Sequence, residues 1–391
     1  MGSLVAMRLL WKPSRGLGKS IHFLLAPLST KIGAPISHFF NGNRLNRNSE
    51  KREDKAWLSK VFHSPGAKVA LFQKSDPLFT PCGTSIKWVS PRTLSPLKLD
   101  GIFKEENAKD LPLLVYLGSK GDSESFWALQ LDGLQPNHGV IGEVTRDGGK
   151  FAKFRPGVFN LKSSEAAVMS QARAILDWNS KSQYCPSCGN KTGTRSNIST
   201  RSLLVAGDMG YKRICFSSDP TKQSCSQEGS PKNYMHPRTD PVTIVCVSSE
   251  DGELCLLGRK ADWPKDVYSC VAGFIEPGES IEEGAAREVY EEAGVVISNV
   301  KYHSSQPWPF PGSLVVGCTS TASSLKIESF DKELEDVKWI GKDEVKQALD
   351  SKRFRSVDRS ITPPPDPTPG SLILPSETSM AHQLIKHWVN S

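Results

Sequence analysis

The stretch Gly273-Phe-Ile-Glu-Pro-Gly-Glu279-Ser-Ile-Glu-Glu-Gly-Ala-Ala-Arg287-Glu288-Val-Tyr-Glu291-Glu292-Ala-Gly294-Val295 decides the fold. Glu276-Pro277-Gly278 is a turn, with Pro and Gly each supplying the backbone angles that a turn needs. Ser280 with Glu283 three residues later forms a capping box, so a helix starts there. Gly294 is its stop, because only glycine enters the left-handed conformation freely. Ala285, Val289 and Ala293 fall on one stripe and face a core. Glu288 and Glu292 are also four apart and project from one face, with Glu291 flanking them. Like charges at this spacing cost a helix about 0.2–0.5 kcal/mol per pair. Three crowded carboxylates, with Glu279 in the preceding turn, therefore imply a divalent cation between them. All-oxygen donors suit Mg²⁺ or Mn²⁺. Arg287 pairs with a neighbouring carboxylate and fixes its orientation. A glutamate pair alone is more often a solvated acidic face; the whole string is what separates the two cases.

Working outward, Ser305-Gln306-Pro307-Trp308-Pro309-Phe310-Pro311-Gly312-Ser313 interleaves three prolines with two aromatics, a stiff loop that cannot be a central strand. Rigid aromatics on such a loop either stack on a flat ligand ring or pack as a corner. Strand-like runs flank the helix at Val242 to Val247, Glu253 to Leu257 and Leu314 to Cys318, and helices are expected near Lys342 to Leu349 and over Met380 to Val389. Residues 181–240 are rich in Cys, Gly, Ser, Lys and Pro, as a small metal module with loops would be. Residues 50–180 read as a mixed α/β domain. Buried strands are expected at Val69 to Phe72 and Leu113 to Leu117, and a helix at Ser164 to Trp178 with Ala167, Gln171, Ala174 and Trp178 along it.

The chain has 391 residues, 38% of them hydrophobic and 23% charged. That is enough for two or three domains at about 100–200 residues each. No apolar run reaches the roughly 18 residues of a membrane-spanning helix. Nine cysteines are too few for a disulfide scaffold, and Cys185 and Cys188 stand as Cys-x-x-Cys, the spacing of a metal knuckle. The net charge of +7 resides entirely in residues 1–49, which hold seven Lys and Arg and no Asp or Glu. The remainder is balanced and announces no nucleic-acid face. The basic, Ser- and Leu-rich segment 1–49 suits a mitochondrial transit peptide, with a disordered basic tail as the alternative. Cytoplasmic or peroxisomal placement follows if it is only a tail, although Val389-Asn390-Ser391 is no peroxisomal Ser-Lys-Leu.

The carboxylate string resembles the Nudix box at every fixed position from Gly273 to Val295. The resemblance implies an α+β chain whose residues 241–391 form an α/β/α Nudix sandwich with a C-terminal helix. It implies metal-ligand roles for Glu288, Glu292 and the Ala272 carbonyl, with Glu291 or Glu292 as base, and supporting roles for Gly273, Glu279, Arg287 and Gly294. The Gln306 to Ser313 string resembles the signature of the NADH pyrophosphatase subfamily. Gln306, Pro307, Trp308, Pro309, Phe310, Pro311, Gly312 and Ser313 are then expected to line a dinucleotide site, with Phe274 stacking and Glu333, rather than the nearby Glu335, as a later metal ligand. The same subfamily carries a zinc ribbon upstream. Here Cys185, Cys188, Cys215 and Cys225 are the expected Zn²⁺ ligands, although the nine residues between Cys215 and Cys225 exceed the usual short spacing. Where the subfamily has Tyr-Pro-Arg, this chain has His236-Pro237-Arg238, which places an imidazole at a substrate contact.

The implied reaction is metal-dependent hydrolysis of the NADH pyrophosphate, with NADPH or NAD⁺ as further substrates, giving nicotinamide mononucleotide and AMP. NAD-capped RNA is an alternative substrate for the same chemistry. A non-catalytic nucleotide-binding module is the reading of another class, opposed by the intact Glu288, Glu291 and Glu292. A homodimer is expected from the family, and no membrane partner.

Overall fold

Two sheets carry the fold in the computed structural model, which describes residues 38–103, 112–132, 134, 138–186, 189, 192–193, 209–215, 234–330, 333–352, 354–355 and 372–391. The acid-free leader does not run to residue 49 as a tail. His38 and Phe40 are buried. The His38 ring bonds the Ser304 hydroxyl at 2.8 Å, and the Phe40 N–H donates to Gln306 Oε1 at 3.1 Å. Asn41 donates to the Ser305 carbonyl and Asn43 to Gln171. Residues 38–46 are thus a strap across the second sheet's edge strand and α4; the buried partners of His38 and Phe40, Ser304 and Gln306, are nothing that composition alone reveals.

Helix α1 (Lys55–Phe62) starts at Asp54, whose carboxylate accepts the Trp57 N–H. The first sheet comprises β1 (Ala67–Gln73), β2 (Asp76–Phe79), β3 (Leu114–Lys120), β4 (Glu124–Gln130) and β5 (Lys150–Phe151), in the order β3-β4-β1-β2-β5. Helices α2 (Gly139–Thr145), α3 (Phe154–Val158) and α4 (Ser163–Lys181) complete this half. Alternation in β1 sends Val69 and Leu71 to one face, with Leu58 and Phe62 of α1 and Val140 and Val144 of α2. Ala70 and Phe72 go to the other face, against α4. The stripe of α4 that meets the sheet is Val168, Met169, Ala172, Ile175 and Leu176. The row Ala167, Gln171, Ala174 and Trp178 runs beside this stripe, and of the four only Ala167 is buried.

Strands β6 (Thr192–Gly193), β7 (Arg213–Cys215) and β8 (Tyr234–Met235) form a small antiparallel sheet after α4. Cys185 is buried beside it. Cys188, Cys225 and residues 194–208 and 356–371 lie outside the described residues, as does the side chain of Cys215.

The second sheet is built from β9 (Asp240–Ser248), β10 (Leu254–Arg259), β11 (Val271–Phe274), β12 (Ile297–Trp308), β13 (Ser313–Ala322) and β14 (Asp336–Gly341). Its order is β12-β13-β9-β10-β14, with β11 also paired to β9. Helix α5 (Ile281–Ala293) follows β11, α6 (Lys342–Asp350) follows β14, and the short pair β15 (Phe354–Arg355) and β16 (Leu374–Pro375) precedes α7 (Met380–Val389). Val245 and Val247 of β9 face Ala285, Val289 and Ala293 of α5. Ile244 and Cys246 face α6 and α7 on the other side. This is the expected helix–sheet–helix sandwich, and each fully buried Val or Leu contributes about 1.5–3 kcal/mol to it. Pro307 is in a strand after all, paired with Leu314. It is tolerated because β12 is an edge strand and owes no N–H on its open side.

Candidate active site

The capping box at the start of α5 is formed. The Ser280 hydroxyl accepts the Glu283 N–H, and the Glu283 carboxylate accepts the Ser280 N–H at 2.7 Å. Gly294 closes the helix at φ 68°. A Cβ there would sit 2.1 Å from the Glu328 carbonyl oxygen, so glycine is required twice over.

Arg287 organises the carboxylates. Its Nε and Nη2 grip Glu279 at 2.6 and 2.9 Å. Its Nη1 donates to Glu288 at 2.9 Å and to Glu291 at 3.0 Å, and Nη2 also reaches the Phe274 carbonyl at 2.8 Å. One fork therefore ties the turn, the helix and the end of β11 together. Arg287 holds the Glu279 carboxyl down to about pKa 2, helped by the Glu276 N–H. Glu288 goes the other way. Burial raises its pKa above the usual carboxylate value; Arg287 opposes this, while Glu291 and Glu333 add to it. The reason is its position against β11: a Cβ on Gly273 would lie 2.0 Å from the Glu288 carboxyl carbon. Gly273 is thus a cradle for Glu288.

Glu292 is turned inward beside the apolar stripe and is only 2% exposed, whereas the Glu291 side chain is 48% exposed. Glu333 accepts a hydrogen bond from Lys260, and Glu335 pairs with Arg259 at 2.8 Å. Of the two, Glu333 is the one whose charge bears on Glu288. The expected metal ligands do not form a ready cage: among the described residues, no three His, Cys, Asp or Glu side chains converge closely enough to hold an ion. Arg287 and Lys260 hold the carboxylates instead, as mutual repulsion among the acids requires. Lys260 was not singled out from the sequence, since a lone lysine 73 residues before its partner carries no local pattern.

The proline–aromatic loop packs as a corner, one of the two arrangements open to its rings. Trp308 and Phe310 pack at ring distances of 5.7 and 6.0 Å on Phe40, and Phe310 stacks on Phe159 at 5.8 Å. Both belong to the apolar cluster of the first sheet. Gln306 is fully buried; it accepts from Phe40 and donates to the Thr378 carbonyl at 3.2 Å. The loop is a corner joining the two halves, because its aromatics gain more by meeting Phe40 and Phe159 than by facing water. Trp308, Pro307, Pro309, Gly312 and Ser313 nonetheless line a cavity of about 470 Å³, with α4, the strap, Tyr211 and the linker Pro237 to Thr239 around it. None of Glu279, Glu288, Glu291 and Glu292 lines that cavity. His236 is exposed at its edge, next to Pro237.

Phe274 is 61% exposed. It faces Val242 in β9, and Val242 in turn faces Val315 in β13. At about 4.8 Å per strand, Phe274 at the end of β11 and Val315 in β13 are therefore about 10 Å apart, and Gln306 of the aromatic loop is one strand further.

Comparison with known proteins matches a NUDIX domain to residues 237–362 and an NADH pyrophosphatase-like rudimentary NUDIX domain to residues 66–178. The human NAD-capped RNA hydrolase NUDT12 is 32% identical over 374 residues, covering 90% of this chain and 73% of its own. A Schizosaccharomyces pombe NAD-capped RNA hydrolase is 34% identical over 387 residues, covering 91% of this chain and 95% of its own. The mouse mitochondrial NAD(P)H pyrophosphatase NUDT13 is 33% identical over 332 residues, covering 82% and 84%.

Proposed function

The chain belongs to the Nudix hydrolases, in the group whose first domain is an NADH pyrophosphatase-like rudimentary Nudix domain, and we propose that it hydrolyses the pyrophosphate bond of NADH to reduced nicotinamide mononucleotide and AMP. NADPH and NAD⁺ carry the same bond. The observation that carries this reading is the Arg287 fork, which holds Glu279, Glu288 and Glu291 beside the Gly273 cradle. The donors there are all hard oxygens, which fits Mg²⁺ or Mn²⁺. Glu288, Glu292, Glu333 and the Ala272 carbonyl are the residues that would hold it. A bound divalent ion supplies charge neutralisation and an acidified water.

The chain's own residues do the rest. Arg287 fixes the carboxylates, so little reorganisation accompanies the reaction. Glu291 or Glu292 takes the proton of the attacking water. Phe274 offers an exposed ring to one base. The cavity beside Trp308 is lined by Leu314, the neighbour of Val315, which lies about 10 Å across the sheet from Phe274, and its size is that of a small-molecule site. Glu291→Gln and Glu292→Gln are expected to abolish turnover in folded protein; wild-type-like rates in both would reject the assignment.

NAD-capped RNA is the second substrate reading, favoured by the names of the human and Schizosaccharomyces pombe relatives. Rates on NADH, NAD⁺, NADPH, ADP-ribose, diadenosine polyphosphates and NAD-capped RNA rank the candidates. Failure to release AMP with Mg²⁺ from any of them would favour a non-catalytic binding module. Zinc on Cys185, Cys188, Cys215 and Cys225 is checked by the metal content of the purified protein. The mitochondrial name of the mouse relative supports an organellar address for the basic leader, tested with a fluorescent fusion, and light scattering tests the homodimer.

A further inference from the structure

Two aromatic rings outside the sites described above are exposed and in contact. Tyr290, on α5, is 47% exposed, and Phe330, on the segment between β13 and β14, is 58% exposed. Their centroids are 5.0 Å apart and their planes differ by 33°. Single exposed hydrophobics are ordinary on a protein surface. This pair differs in how firmly its second ring is held there. The Ser323 N–H donates to the Val296 carbonyl at 2.9 Å, the Glu328 N–H to the Ala293 carbonyl at 2.8 Å, and the Phe330 N–H to the Glu291 carbonyl at 3.2 Å. Ile327 packs into the cluster of Val289 and Ala293, and the Glu328 carbonyl fills the space beside Gly294. The segment is thus fastened along the end of α5, yet it tucks in the aliphatic Ile327 and leaves the larger aromatic in water.

The pair starts one helical turn from the Arg287 fork. Tyr290 is three residues after Arg287 on α5. Positions three apart are surface neighbours, with Cβ atoms about 5–6 Å apart. The same guanidinium holds the Phe274 carbonyl and Glu291, the residue that follows Tyr290. Phe330 is three residues before Glu333, a stretch of at most about 11 Å. The two rings therefore border the carboxylate site. They are too close to admit a base between them, which needs about 7 Å for two contacts of about 3.5 Å. A base can lie only on their outer face.

Counting rings identifies the occupant. The hydrolase reading uses two places, Phe274 and the cavity beside Trp308, and a dinucleotide has two bases. Tyr290 and Phe330 are a third place, and NADH has no third ring. An NAD-capped RNA has one, the base of the nucleotide next to the cap. We propose that Tyr290 and Phe330 form a platform on which this base stacks. The proposal rests on the hydrolase reading and selects capped RNA among its substrates. Stacking requires only a flat π face, so the platform accepts any base. Rings already in contact lose little freedom when a base arrives. A second copy of the chain is the competing occupant; the position beside Glu291 and Glu333 favours a ligand already engaged at the carboxylates.

The test uses full-length wild type, Tyr290→Ala, Phe330→Ala and Tyr290→Phe, with Mg²⁺. Release of nicotinamide mononucleotide is followed from NADH and from two NAD-capped oligoribonucleotides, one intact and one abasic at the nucleotide next to the cap. The ratio of kcat/KM on intact capped RNA to that on NADH should fall about tenfold in each alanine variant, through KM. Tyr290→Phe should retain the wild-type ratio. Wild type should favour intact over abasic RNA by a similar factor, and the alanine variants should not. Equal rates of wild type on the two RNAs, or alanine variants that keep the preference, would overturn the proposal. A kept preference with a smaller mass by light scattering would assign the patch to a second copy instead. Turnover of NADH with none of either RNA would also overturn the platform and leave the hydrolase reading standing. No turnover of NADH or RNA would fault that reading, and the platform with it.

Discussion

The carboxylate turn and the proline–aromatic loop are two motif-bearing segments on one end of the same sheet, and they are held in opposite ways. In the first, polar side chains hold one another at a partly open surface: Arg287 grips Glu279, Glu288, Glu291 and the Phe274 carbonyl. In the second, Trp308 and Phe310 turn inward onto Phe40 and Phe159, and Gln306 is buried beneath them. The difference is instructive. A carboxylate is costly to bury without a partner, so its neighbours reveal its task. An aromatic ring packs and stacks with the same surface, so its presence in a motif does not say which it does.

The sharpest way to break this comparison is Arg287→Ala. Loss of the fork should cost about 100- to 1000-fold in turnover, comparable to removing a preorganised electrostatic group, with circular dichroism unchanged. A near-normal rate would make the network mere surface decoration. Phe310→Ala should act on stability instead, by about 3 kcal/mol, the low end for removing a packed aromatic. Denaturant melts check the stability and assays below the transition check the rate. A fall in rate without loss of stability would return the loop to the binding site. Gln306→Leu should cost about 1–3 kcal/mol by stranding the buried Phe40 N–H, read by the same melts.

The smallest effect is a matter of pH. Arg287 lowers the Glu279 pKa from 4.5 to about 2 in the folded chain. A depressed carboxylate contributes stability above its unfolded value, and this is lost as pH falls through the folded value. Glu279→Gln should therefore be less stable than wild type above pH 4.5, with the gap closing as the pH approaches 2. Urea midpoints across that window test it; a gap that widens in acid would reverse the sign.

Much of the fold was legible because its signals are local. Ser280 and Glu283, Gly294, and the Ala285, Val289 and Ala293 stripe specify α5 from its own residues. The runs from Val242 and Leu314 likewise became β9 and β13. What stayed hidden depends on distant partners. His38 and Phe40 sit in a basic, tail-like stretch, yet their contacts at Ser304 and Gln306 are 266 residues away. Pro307 forbids a central strand but not an edge, and edge position is a property of sheet order. Within the candidate site, the role of Gly273 became physical only when the Glu288 carboxylate was found where its Cβ would be.

The most direct test of the central claim is Mg²⁺-dependent AMP release from NADH by wild type and by Glu288→Gln, both full length and folded. Carboxylates tied by Arg287 beside the Gly273 cradle predict AMP and reduced nicotinamide mononucleotide from wild type, and only background release from the variant. Equal rates from the two proteins, or no AMP from wild type on any dinucleotide diphosphate, would contradict it.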